Sequence, residues 1–186
     1  MTRIIKATWD NLYHMWKDCK RCDLHENRSR VVLGKGPKKA QIFLIGQAPG
    51  KTEDKLGKPF VGLMGKILRE MMEAIGMSPD RIYISNSAAC YPPADRMPNV
   101  TEVKACFPRL RMEIELVKPK WIIYCGMRAA TISGLLEEYA RFFEQFKTLF
   151  MNHPGSIRRD PRRKDDIRKQ LSFIKETIIR DGGRVA

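Results

Sequence analysis

Four short apolar runs, each ending on a polar or glycine-bearing segment and each followed by a stretch with helical spacing, constrain this chain more than any other feature. They are Gln41 to Gly46, Ile82 to Ser85, Trp121 to Gly126 and Leu149 to Met151. Runs this short suit strands buried on both faces, and helical crossovers between them return the chain to the same end of a sheet, so the strands run parallel. Between Gly65 and Gly76 the residues Ile67, Leu68, Met71, Met72 and Ile75 form one amphipathic face, with Gly76 as a stop. From Thr101 onward Val103, Cys106, Leu110, Ile114 and Val117 share a face, Ala129 to Phe146 reads as helical, and Ile167, Leu171, Ile174 and Ile178 align between Pro161 and Ile179. The expected architecture is an α/β layered domain over residues 1–186 with a mostly parallel sheet. Residues 1–40, with a short helix from Thr8 to Cys19, read as an arm leading into it.

The first run feeds the densest glycine and proline segment of the chain, Gly46-Gln47-Ala48-Pro49-Gly50 and then Gly57-Lys58-Pro59-Phe60-Val61-Gly62. Such a segment after a buried strand predicts a loop that turns sharply and lets its backbone approach a ligand. Gln47, Asn86 and His153 each follow an apolar run, so a parallel sheet gathers them at its carboxyl edge, where sheets of this kind bind ligands. Each alone reads equally well as a turn residue; their shared position is what points to a site.

Charge narrows the partner. The chain carries 35 Lys and Arg against 21 Asp and Glu, a formal charge of +14, which favours a polyanion, nucleic acid first. Met1 to Asp10 lacks the continuous apolar core of an export signal, and no run approaches the about 20 residues that span a bilayer. The expectation is a soluble, cytoplasmic monomer with no membrane partner. Of five cysteines, Cys19 and Cys22 form a C-x2-C pair, Cys90 follows the second run and Cys106 lies on the next helix. In a reducing compartment these four suit zinc or a [4Fe–4S] cluster, or else buried or redox thiols; Cys125, inside a run, reads as core.

Taken together, the segment Gly46 to Gly62, the cysteines with Cys90-Tyr91-Pro92-Pro93 and Arg96-Met97-Pro98, and His153-Pro154 followed by Arg158-Arg159-Asp160-Pro161 resemble the family 4, iron–sulfur, uracil-DNA glycosylases. The likeness runs from about Asp18 to Ile179. It implies a three-layer α/β/α fold around a four-stranded parallel sheet, a [4Fe–4S] cluster on Cys19, Cys22, Cys90 and Cys106, with zinc as the alternative, and uracil-containing DNA, single- or double-stranded, as the substrate. It implies base excision without a lyase step: His153 stabilises the departing uracilate, Asn86 pairs with uracil O4 and N3–H, Phe60 stacks on the flipped base, backbone amides near Gln47 and Ala48 close the pocket, and Glu53 crowds the C5 side. Ile157 would serve as a wedge, with Arg158, Arg159, Arg162 and Arg163 near phosphates. Gln47 stands where the family usually has Glu, so a weaker catalyst is expected, or at the extreme a glycosylase-like DNA-binding domain related to those of phage DNA polymerases. Met64 replaces a small residue, and Gly155-Ser156 a bulkier pair.

Overall fold

The computed structural model of the chain describes residues 7–126, 129 and 137–186. Four parallel strands, β1 (Ile42–Gly46), β2 (Ile82–Asn86), β3 (Trp121–Cys125) and β4 (Lys147–Met151), form one sheet in the order β2-β1-β3-β4. The helices are α1 (Trp9–Trp16), α2 (Lys51–Leu56), α3 (Leu63–Ala74), α4 (Val100–Val117), α5 (Glu137–Phe143) and α6 (Arg163–Arg180).

Alternation along the strands builds two cores. Ile42, Leu44, Ile82, Ile84, Trp121 and Ile123 turn to one face and pack with Leu68, Met72, Leu171 and Ile174 of α3 and α6. Phe43, Ile45, Tyr83, Ile122 and Tyr124 turn to the other, against Val103, Phe107, Leu110 and Ile114 of α4 and Tyr139 and Phe143 of α5. Continuous burial of β1, β2 and β3 on both faces is what their unbroken apolar runs encode. The result is the expected three-layer α/β/α fold. In the arm, Leu12 and Trp16 of α1 pack on Met112 of α4.

Helix ends follow local chemistry. Thr8 caps α1 through the Asn11 amide, and Asn99 and Glu102 form a reciprocal capping box at the start of α4. Pro108 lies inside α4 and has no N–H to give the Lys104 carbonyl; the Tyr139 hydroxyl donates to that carbonyl at 3.1 Å instead.

Three expectations need correction. The segment after β1 is not all loop, since Lys51–Leu56 forms α2, capped at its end by Gly57 in the left-handed region (φ 66°). The helix expected over Ala129 to Phe146 ends at Phe143; residues 130–136 lie outside the described residues. β4 also begins earlier than its apolar run, at Lys147, because it is an edge strand whose first two residues are exposed.

Candidate active site

β1 leaves the sheet toward the face covered by α3, while its neighbour β3 leads toward the face covered by α5. A parallel sheet opens a crevice where adjacent strands part in this way. Gly46 at the end of β1 pairs in register with Asn86 at the end of β2, and Cys125 at the end of β3 pairs with Met151 of β4, two residues before His153. The three strand-end residues read from sequence therefore do share one edge.

Gly46 has a specific job there. A Cβ on it would lie 2.7 Å from the Phe60 ring tip and closer still to the Asn86 side-chain oxygen, so the ring and the amide crowd one point from two sides. Phe60 is held by an unusual backbone: φ is 53°, a conformation few non-glycine residues adopt, and its main chain presses on Gly65 where α3 has no side chain. Asn86 is 2% exposed, and its side-chain amide makes no hydrogen bond among the described residues. Gly46→Ala is expected to displace Phe60 or Asn86, costing about 1–3 kcal/mol in denaturant unfolding and more than tenfold in the rate of whatever the site does.

His153 begins a short 3-10 helix, Pro154–Arg158, and its Nδ1 accepts the Gly155 N–H at 3.0 Å. An Nδ1 that accepts carries no proton, so the neutral ring holds its proton on Nε2 and can donate from there. Burial lowers the His153 pKa from its ordinary value, nearby Arg159 lowers it further, and Glu53 opposes both. Gly155 permits this bond, since a Cβ there would meet Nδ1 at 2.9 Å and Met64 Sδ at 3.9 Å; the large residue at 64 sits beside the small one at 155. Gly126 (φ 98°) lets the His153 Cβ approach, and Gln170 of α6 accepts the Asn152 N–H at 2.8 Å, pinning the turn. His153 stands against the end of β3 and Asn86 at the end of β2, on either side of the end of β1.

The His153 reading has a direct test. The chain has three histidines, so its ring resonances are separable by NMR, and His153 is expected to titrate below the ordinary value. Arg159→Ala removes a positive neighbour and should raise that pKa; Glu53→Gln should lower it. Because the folded pKa is depressed, the neutral form supports stability above the unfolded value, and that contribution is lost as pH falls from there through the folded pKa.

The other expected residues are placed as follows. Gln47 is half-buried, its carbonyl accepting the Ala88 N–H at 3.0 Å. Glu53 accepts the Gly62 N–H at 2.7 Å, which sets a carboxylate at the start of α3. Ile157 is half-buried against the core, while Arg158 and Arg159 are exposed and unpaired among the described residues. Arg162 reaches Asp160 at 3.0 Å and Arg163 reaches Asp166 at 3.8 Å. Sequence reasoning passed over Asp54, which is 4% exposed and accepts the Ser29 N–H at 2.9 Å, tying the arm to α2.

The arm brings its two cysteines to the back of the same loop. Ala48 packs with Cys22, Cys90 and Leu24. Cys22, Cys90 and Cys106 sense one another electrostatically, and Cys19 acts on Cys22. Burial pushes the Cys90 thiol up to about 12, Arg28 counters it from 3.4 Å, and the Cys106 sulfur accepts the Ala89 N–H at 3.3 Å. Among the described residues no three His, Cys, Asp or Glu side chains converge tightly enough for a metal ion. Tetrahedral zinc with bonds of about 2.3 Å needs thiolates about 3.8 Å apart, whereas a cubane cluster spreads its four ligands more widely. Cys22, Cys90 and Cys106 lie within electrostatic reach of one another, Cys19 reaches Cys22, and the Arg28 guanidinium is close by, a spread that suits the larger group better than a single ion.

Comparison with known proteins places these features in context. A family model described as the uracil DNA glycosylase superfamily matches residues 33–176. A type-4 uracil-DNA glycosylase of Archaeoglobus fulgidus is 33% identical over 182 residues, covering 90% of this chain and 92% of the relative. One from Pyrobaculum aerophilum is 33% identical over 180 residues, covering 88% and 91%. The crystal structure of wild-type Pedobacter heparinus SMUG2 superposes with a TM-score of 0.50 over 75% of this chain and 76% of that one; at 14% identity it speaks to the fold alone.

Proposed function

The chain belongs to the uracil DNA glycosylase superfamily, alongside its type-4 members, and from that membership and the site's geometry we infer that it hydrolyses the N-glycosidic bond of uracil in DNA. The observation that carries this reading is the side-chain amide of Asn86, unbonded among the described residues and set against Phe60 across Gly46. A flipped uracil presents O4 as an acceptor and N3–H as a donor, and one side-chain amide satisfies both. Cytosine exchanges those roles and leaves the amide mismatched.

Excision builds positive charge on the deoxyribose and negative charge on the departing base. His153, neutral with its proton on Nε2, donates to uracil O2 and holds the growing charge without bringing a full positive charge of its own. Phe60 supplies the stacking face, Glu53 closes the C5 side, and Gln47 and the Ala48 amide line the entrance, with the Gln47 amide orienting the attacking water. Ile157 fills the gap left in the stack, and Arg158, Arg159, Arg162 and Arg163 grip the backbone. Cys19, Cys22, Cys90 and Cys106 would hold a [4Fe–4S] cluster, whose contribution would be to fix the arm and the back of the pocket loop. No helix among the described residues is long and apolar enough to cross a membrane.

Incubation of a uracil-containing oligonucleotide, followed by alkaline cleavage at the abasic site, tests the activity. Strand scission that disappears in the His153→Ala, Asn86→Ala double variant is expected; scission no greater than in that variant would reduce the protein to a DNA-binding domain. Iron and sulfide analysis after anaerobic purification is expected to give about four of each per chain with a broad visible band. Zinc without iron would refute the cluster.

A further inference from the structure

Behind the pocket lies a charged group that the reaction does not require. Arg109 of α4 is 0% exposed, as is Glu113 one turn later. Arg109 Nη1 donates to Ser85 Oγ at 2.8 Å and Glu113 Oε2 at 2.9 Å, while Nη2 donates to the carbonyls of Asn86 at 2.6 Å and Ser87 at 3.1 Å. Nη2 also faces the Cys106 sulfur at 3.5 Å. Glu113 in turn accepts from Ser85 Oγ at 2.5 Å and from the Gly34 N–H at 2.8 Å. The Arg109 Nε–H has no partner among the described residues, so the guanidinium is oriented by its two outer nitrogens.

A buried ion pair is weak support for stability, since apolar residues of equal volume often serve as well. The targets of this one explain it better. One nitrogen grips the two carbonyls at the point where β2 ends and the chain turns away, and touches a thiol of the cysteine group. Holding the Asn86 carbonyl fixes the peptide plane after Asn86; pairing with Gly46 fixes the strand before it. Between them the direction of the Asn86 side chain is set.

We propose that Arg109 is a positioning residue of the uracil pocket, a buried clamp that aims Asn86 and ties the end of β2 to the cysteine site through Cys106. This rests on the function inferred above. A guanidinium suits the task because its planar fork serves several acceptors at once, whereas a lysine offers a single nitrogen.

The test compares holoprotein of wild type, Arg109→Lys, the charge-neutral pair Arg109→Gln with Glu113→Gln, and Ile114→Ala, a core truncation on the same helix. Inhibition by free uracil, KM for DNA, the visible metal band and the melting temperature are measured for each. Both Arg109 variants are expected to bind free uracil about tenfold more weakly and to show a shifted visible band, with KM for DNA within about twofold of wild type. Ile114→Ala, although less stable, should keep uracil inhibition within about twofold. Wild-type uracil inhibition in the Arg109 variants, or an equal loss in Ile114→Ala, overturns the clamp. Should neither Arg109 variant fold, Ser85→Ala carries the test: it removes the bridging hydroxyl without removing a charge, about threefold weaker uracil inhibition is expected, and no change overturns the proposal. A wild-type protein that neither excises nor binds uracil overturns the functional reading, and the clamp with it.

Discussion

His153→Ala is expected to slow single-turnover uracil excision about 10²–10³-fold while leaving affinity for uracil-containing DNA within a few-fold of wild type. The effect is large because the hydrogen bond from Nε2 strengthens only as negative charge gathers on the base, in a site from which stacking has expelled water. It falls on the chemical step because the proposed phosphate contacts come from other side chains. Arg158 and Arg159 lie beyond His153, on the exposed side of the turn. His153→Gln should recover part of the loss, since a side-chain amide also donates, though without a Gly155 bond to aim it.

The pH profile separates this role from a proton-transfer role. A neutral donor works over the whole range in which the imidazole is uncharged, so wild-type activity should be flat through neutrality and fall only on the acid side, below the ordinary histidine pKa. On that side protonation of Nδ1 breaks the bond from Gly155. Arg159→Ala should move the acid limb to higher pH, in step with the raised pKa of His153. A profile that instead rises toward acid pH would require the imidazolium as catalyst and would contradict the tautomer read from the turn.

The sequence discloses the parts of this molecule that repeat and hides those that depend on a single contact. The apolar runs of β1 to β3 are visible because both faces of each strand are buried, and the same uniformity marks where each strand ends. β4 shows only its last three residues, because Lys147 and Thr148 pair with Trp121 and Ile122 at an exposed edge. α2 leaves no trace in apolar spacing: its buried side chain is Asp54, and it is held by carboxylates reaching Ser29, Arg30 and Gly62. The strand-end residues Gln47, Asn86 and His153 could be gathered in advance from topology alone. The Arg109 to Glu113 pair could not, because opposite charges four apart on a helix are ordinarily a solvated surface pair, and only packing against Ser85 and Gly34 reveals it as interior. The tautomer of His153 likewise depends on one backbone N–H.

Asn86→Ala should give the opposite signature to a core truncation: activity lost and stability kept. Two hydrogen bonds to the base disappear, one to O4 and one from N3–H, in a pocket where water cannot replace them. At about 1.5–2.5 kcal/mol each, the expected loss is about 10²–10⁴-fold in kcat/KM for uracil. Folding should hardly suffer. In the free protein the side-chain amide makes no hydrogen bond among the described residues and is not among the fully buried orphan groups, so removing it breaks no bond of the fold and is expected to leave the melting temperature close to that of wild type. A side chain that adds no bond to the fold and whose loss removes activity is placed for binding. An amide that contributed to the fold would show the reverse, with melting and activity falling together. Asn86→Asp sharpens the comparison: an ionised carboxylate accepts from N3–H but has nothing to donate to O4, so uracil excision should fall nearly as far as in the alanine variant while the pocket keeps its shape. If Asn86→Ala melts several degrees lower and excises uracil within about tenfold of wild type, the amide belongs to the architecture and the base is read elsewhere.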